Sequence, residues 1–154
     1  MVDLDGVQLA GAAGLQVSSD LALHLAVYRA RADVVAYVHA HVPAAMALTL
    51  AGRPPDPAAL PETAMLLPRL PVVPLALPGS LALAQSLAAA LTDPPEPLAT
   101  AALLERHGAV TVGLRAPGVH VAAALAQAVD RMELVDVLCR VWRDAVLLRG
   151  AGLL

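Results

Sequence analysis

Phenylalanine is absent from this chain, and the other aromatics occur only as Trp142, Tyr28 and Tyr37. Base stacking on single-stranded nucleic acid needs a platform of aromatic rings, so that class of partner has no purchase here. Basic patches are missing too. Ten Lys and Arg against 13 Asp and Glu leave a net charge of −3, with no stripe to follow a phosphate backbone. Cysteine occurs once, at Cys139, which excludes an internal disulfide and makes a cytoplasmic setting the default expectation. Cys139 lies in an apolar helical pattern and reads as a small core residue, not as a nucleophile. The start, Met1-Val2-Asp3-Leu4-Asp5, has neither the basic nor the apolar region of a secretory leader. Uninterrupted apolar runs of bilayer length are also lacking. The uncharged stretch Val34 to Gly52 contains two histidines and Pro43, and the stretch Leu70 to Thr92 contains Pro71, Pro74, Pro78 and Gly79.

What is present is apolar and rich in alanine. Hydrophobic residues make up 58% of the 154 positions and the mean hydropathy is +0.69, so a single domain with a substantial core is expected. Alanine suits helices packed tightly on a sheet, and the surplus of apolar surface argues for contacts between subunits.

Strand-like and helix-like segments alternate along the chain. Val2 to Leu9 reads as a short strand or hairpin, with Asp5-Gly6 as the turn. Ser18-Ser19-Asp20 is an N-cap cluster ahead of Leu21, Leu25 and Tyr28, which predicts a helix to about Arg31. A buried strand follows from Val34 to His39, then a helix from Pro43 to Leu50. The proline-rich stretch Gly52 to Pro78 holds a short helix near Ala59 to Leu67 and a short strand at Val72-Val73. A helix from Gly79 to Leu91, strands at Thr100 to Leu104 and Ala109 to Val112, and a long helix from Pro117 to Leu148 complete the pattern. In that last helix Val121, Leu125, Val129, Met132, Leu138 and Val141 form an apolar stripe suited to packing on the sheet. The alternation describes an α/β layered domain.

The chemistry-bearing residues cluster by pattern. Side chains at i and i+2 on a strand share a face, so His39 and His41 aim two imidazoles at one place. Neutral imidazole is a common ligand for zinc-type metals; the plain alternative is two histidines bonded to backbone and water. His107 is a third candidate, followed by Gly108, which allows a close turn of the backbone. Three histidines make a catalytic zinc set with one position open. Asp20 is the carboxylate that could join them, or else the cap of its helix. Ser18 and Ser19 offer hydroxyls and backbone donors at the same helix start, either as caps or as an anion cradle. His24, one turn after Asp20, reads as a packing or supporting residue, and Arg29 and Arg31 suit the helix C-terminus.

The segments Ser18-Ser19-Asp20 with His24 and Tyr28, then Val38-His39-Ala40-His41, then Leu104-Glu105-Arg106-His107-Gly108, resemble the class II aldolase/adducin family in order, spacing and context. The resemblance covers nearly the whole chain. It implies a three-layer α/β/α sandwich with a central mixed, largely antiparallel sheet, a homotetramer, and chemistry on sugar phosphates through an enediolate. It also implies that His39, His41 and His107 match zinc ligands, Asp20 the acidic ligand or acid/base, and Ser18 and Ser19 part of the substrate-phosphate site. Aldolases of the family carry glutamate at the place of Asp20, whereas aspartate resembles the 4-epimerase branch. The family's usual N-terminal helix and Gly-Asn phosphate loop have no counterpart in the 17 residues before Ser18, and its C-terminal tyrosine has none either. Three functions are therefore expected to compete. They are a metal-dependent aldolase or epimerase on a small keto-sugar phosphate, a metal enzyme on a non-phosphorylated carbonyl compound, and a non-catalytic adducin-like oligomerisation module.

Overall fold

Alternation along the strands sorts the apolar side chains into cores on the two faces of a four-stranded sheet. The computed structural model describes residues 1–11, 14–118 and 120–153. Its elements are α1 (Leu21–Ala30), β1 (Val34–Ala40), α2 (Pro43–Leu50), α3 (Pro61–Leu66), β2 (Val72–Val73), α4 (Leu81–Thr92), β3 (Ala101–Leu104), β4 (Gly108–Leu114) and α5 (Val121–Gly150). On β3, Ala102 and Leu104 enter a core with Leu23, Val27, Leu87 and Leu91 of α1 and α4. Ala101 and Leu103 point the other way, into a core with Ala45, Leu48, Val135 and Cys139 of α2 and α5. The result is the expected α/β/α sandwich. Strand order is β1-β4-β3-β2, antiparallel at β1/β4 and β3/β4 and parallel at β2/β3. The N-terminal hairpin is present as a bridge between Val2 and Gln8.

One irregularity in β1 decides where the histidines point. Val34 and Tyr37, three residues apart, lie in the same core, while Ala36 packs against Ala124 and Ala128 of α5. Strict alternation would put Val34 and Ala36 on one face. The register shift between Val34 and Ala36 reverses the phase, as a bulge does, and turns Tyr37 and His39 toward α1.

Two sequence expectations need correction. On α5, Val121, Leu125, Val129 and Val141 are 41–58% exposed, and only Met132 and Leu138 of the expected stripe are buried. The packed face is built instead on Ala124, Ala128, Val135, Leu138 and Cys139. Alanine lets the helix lie close enough for the Thr111 hydroxyl to donate to the Ala128 carbonyl at 2.7 Å. Close approach outweighs side-chain size in choosing the face. The last helix, expected from Pro117, starts at Val121, and His120 is its exposed N-cap, with Nδ1 accepting from the Ala122 N–H.

Arg31 does more than complement a helix dipole. It is 4% exposed and meets Asp33 through Nε at 3.0 Å and Nη2 at 2.6 Å, while Nη1 donates to the carbonyls of Leu91 and Ala99. One guanidinium thus ties the end of α1 to the end of α4 and the approach to β3. Its hydrogen bond holds the Asp33 carboxyl below the usual carboxylate range. Cys139 is buried as expected, and burial followed by the charge of Asp136 pushes its thiol up to about 12.

Removing Arg31 leaves the buried carbonyls of Leu91 and Ala99 unpaired, so Arg31→Ala should lower the unfolding free energy by roughly 1–3 kcal/mol. Asp33 has a depressed folded pKa, so its share of this stability is present above the ordinary carboxylate pKa. It fades as pH falls through the folded value. Denaturant unfolding of wild type and Arg31→Ala should therefore show a gap that narrows in acid; a gap independent of pH would contradict this role.

Candidate metal centre

β1 carries His39 on the face turned toward α1, and the chain emerges from the strand with His41 two residues on. β4 is brought alongside by the β3–β4 turn, where Arg106 adopts φ 60° and Gly108 φ 143°. A side chain at Gly108 would stand 2.2 Å from the Ala40 carbonyl oxygen, so only glycine permits this closeness. The Arg106 N–H donates to the Thr49 hydroxyl of α2, which holds the turn in place. His107 is thereby set beside His39 and His41.

The three rings form a nearly equilateral group, with centroids 5.2, 4.9 and 5.0 Å apart. One nitrogen from each lies within 4.8 Å of the others. The Ala109 carbonyl stands 2.9 Å from His39 Nδ1, and a carbonyl only accepts, so Nδ1 carries the proton and Nε2 presents its lone pair. Burial first, then the neighbouring His39, lowers the pKa of His107, with Asp20 opposing, a shift that favours the neutral, ligand-competent ring.

Asp20 sits at the N-cap position of α1, yet its side chain makes no capping hydrogen bond. Its Oδ2 lies 3.8 Å from His39 Nε2 and 3.9 Å from His107 Nε2. The capping alternative is thus corrected: the carboxylate turns from the helix toward the imidazoles. Ser18 takes over local support, its hydroxyl accepting from the Asp20 N–H at 3.2 Å. Ser18 and Ser19 are exposed beside the cluster. Gly79, at φ 72°, lets the turn before α4 press on this segment, since a Cβ there would approach the Ser19 carbonyl oxygen to 2.5 Å.

The donor set fits a divalent transition cation: three imidazoles with a carboxylate close by match zinc-type preferences. His39 Nε2, His107 Nδ1 and Asp20 Oδ1 are all buried without hydrogen-bond partners, which is costly unless another group engages them. A cavity of about 780 Å³ lined by Arg53, Trp142 and Arg149 among others includes none of these residues. Sequence reasoning passed over Tyr37. Its position two residues before His39, on the same strand face, was the available signal. Tyr37 stacks on His24 at 4.1 Å, and burial followed by Asp20 and Tyr28 raises its phenol far above the ordinary range.

Residues 1–143 match the class II aldolase and adducin N-terminal domain, and the chain belongs to that family. It is similar to the crystal structure of L-fuculose-1-phosphate aldolase from Thermus thermophilus (TM-score 0.75, 27% identity, 99% of this chain and 71% of that one). It is similar also to a further L-fuculose 1-phosphate aldolase structure (0.74, 25%, 98% and 62%). A third is YgbL from Escherichia coli, described as a candidate aldolase/epimerase/decarboxylase (0.67, 29%, 91% and 61%). The chain thus spans roughly three fifths to seven tenths of the lengths of these relatives. No curated protein is a significant match in sequence.

Because Asp20 does not cap α1, Asp20→Ala should change stability by less than about 0.5 kcal/mol in metal-free protein, against the ~1 kcal/mol loss typical of a removed cap. Thermal or denaturant unfolding distinguishes the two.

Proposed function

We propose that this protein is a metal-dependent aldolase or epimerase, with zinc as the cation, acting on a small keto-sugar phosphate or related carbonyl compound through an enediolate. The observation that carries this reading is the convergence of His39, His41 and His107 on one point with Asp20 beside two of them. A purely structural module has no use for three converging imidazoles and a buried, unpartnered carboxylate, and that weighs against the non-catalytic alternative.

His39, His41 and His107 would hold the cation, leaving a position for substrate oxygen. A divalent cation there supplies Lewis-acid stabilisation of the negative charge that develops on a ketone oxygen. Asp20 is the chain's own acid/base at the site. Its Oδ2 accepts the proton released from a substrate hydroxyl or carbon and returns it later, which aspartate does with a shorter reach than glutamate. Ser18 and Ser19, exposed at the start of α1, supply hydroxyl and backbone donors to the anionic end of the substrate. Ala109 fixes the His39 tautomer, so the lone pair needed at Nε2 is set before anything binds.

A homotetramer is the proposed assembly, and cytoplasm the proposed location. Val121, Leu125 and Val129 of α5 form an exposed apolar strip that a second copy would cover. Among the described residues no helix is long and apolar enough to cross a membrane.

Three outcomes are expected. Purified protein should carry about one equivalent of divalent metal per chain, and the His39→Ala, His41→Ala double variant none; equal metal content in both would refute the site. Over a panel of keto-sugar phosphates and their unphosphorylated analogues, Asp20→Asn should fold normally yet lose turnover by at least ~100-fold, the scale of general acid/base catalysis. A fully active Asp20→Asn protein would confine Asp20 to structure and favour the oligomerisation reading. Light scattering should give the mass of four chains, and a monomer would contradict the assembly.

A further inference from the structure

Buried side-chain atoms without hydrogen-bond partners gather at one place in this chain. Of five such atoms among the described residues, four belong to Asp20, Tyr37, His39 and His107, and the fifth is the hydroxyl of Thr100. The proposed metal centre accounts for the histidines and engages Asp20 through Oδ2. It leaves the Tyr37 hydroxyl and Asp20 Oδ1 unexplained. The two are chemically complementary, because a phenol donates and an ionised carboxylate only accepts.

The two lie on elements packed against each other. Tyr37 is 8% exposed and lies on the β1 face that carries His39. Its ring rests on His24 at 4.1 Å, and His24 stands one helical turn beyond Asp20 on α1. The ring thus lies between β1 and α1, on the side of the strand that also carries His39, whose Nε2 stands 3.8 Å from Asp20 Oδ2. Neither atom has a hydrogen-bond partner among the described residues, and a buried water is the usual link between polar groups that do not touch.

We infer that Tyr37 is a positioning residue for Asp20: its hydroxyl donates through a buried bridging water to Oδ1 and thereby keeps Oδ2 turned toward the imidazoles. The inference rests on the metal-centre reading above. It explains why a phenol is tolerated in an apolar core where phenylalanine would fill the same space without an unpaired group. It assigns to Tyr37 an outer role of the kind that orients metal ligands elsewhere.

The test uses protein stripped of metal by chelation, as wild type, Tyr37→Phe and the neighbouring-phenol control Tyr28→Phe. Each is titrated with Co²⁺ by calorimetry and visible absorption, and its metal-free unfolding temperature is measured. Tyr37→Phe should bind Co²⁺ about tenfold more weakly, in line with losses on removing outer-sphere partners. Its metal-free unfolding temperature should be unchanged or higher, since an unpaired buried hydroxyl has gone. Tyr28→Phe should keep the wild-type affinity. Wild-type affinity in Tyr37→Phe would overturn this inference and leave the metal centre standing. A lowered affinity matched by a lowered unfolding temperature, or shared by Tyr28→Phe, would also overturn it by making the effect one of packing. Wild type that binds no Co²⁺ would overturn both readings.

Discussion

The pairing of β1 with β4 closes at Gly108, where two backbones come nearer than any side chain allows. Everything at the candidate site follows from that contact. β1 ends at Ala40 and releases His41; β4 begins at Gly108 and is preceded by His107. A Cβ at Gly108 would sit 2.2 Å from the Ala40 carbonyl oxygen and force the strands apart just where the third imidazole must meet the other two. The bulge at the other end of β1 is the second half of the constraint, since it sets which face of the strand His39 occupies. Distance is set at one end and direction at the other.

The site concentrates unfavourable features that a core elsewhere avoids. Asp20 stands at a helix start without capping it, and buried polar atoms of four neighbouring residues lack partners. Such groups persist where the surrounding packing is stable enough to tolerate them. Here that packing is supplied by the two cores on either face of the sheet and by the Arg31 network at the far end of α1. In the function proposed above a cation and a substrate would engage these groups, and membership of the class II aldolase and adducin N-terminal domain family agrees with that proposal.

Much of this was legible in the sequence, for identifiable reasons. Period-2 logic at Val38-His39-Ala40-His41 and the glycine after His107 carry direct geometric meaning, so the histidine cluster could be read before any coordinates. The α/β layering followed from alternating segments with clear proline and glycine boundaries. Three things were hidden. Residue type left Asp20 open between cap and site carboxylate, because whether a side chain caps its helix depends on what else pulls on it. The packed face of α5 was misread because size was taken for burial, when Ala124 and Ala128 win by letting the helix approach Thr111. Tyr37 and Arg31 owe their roles to residues far away in sequence, which no local pattern reports.

The most direct test of the metal centre is anomalous diffraction from crystals grown with Zn²⁺. A single strong peak is expected among His39, His41 and His107, with nitrogen-to-metal distances of roughly 2.0–2.1 Å and the Asp20 carboxylate facing it. A peak elsewhere on the chain, or a His107 ring turned away from the pair on β1, would contradict it.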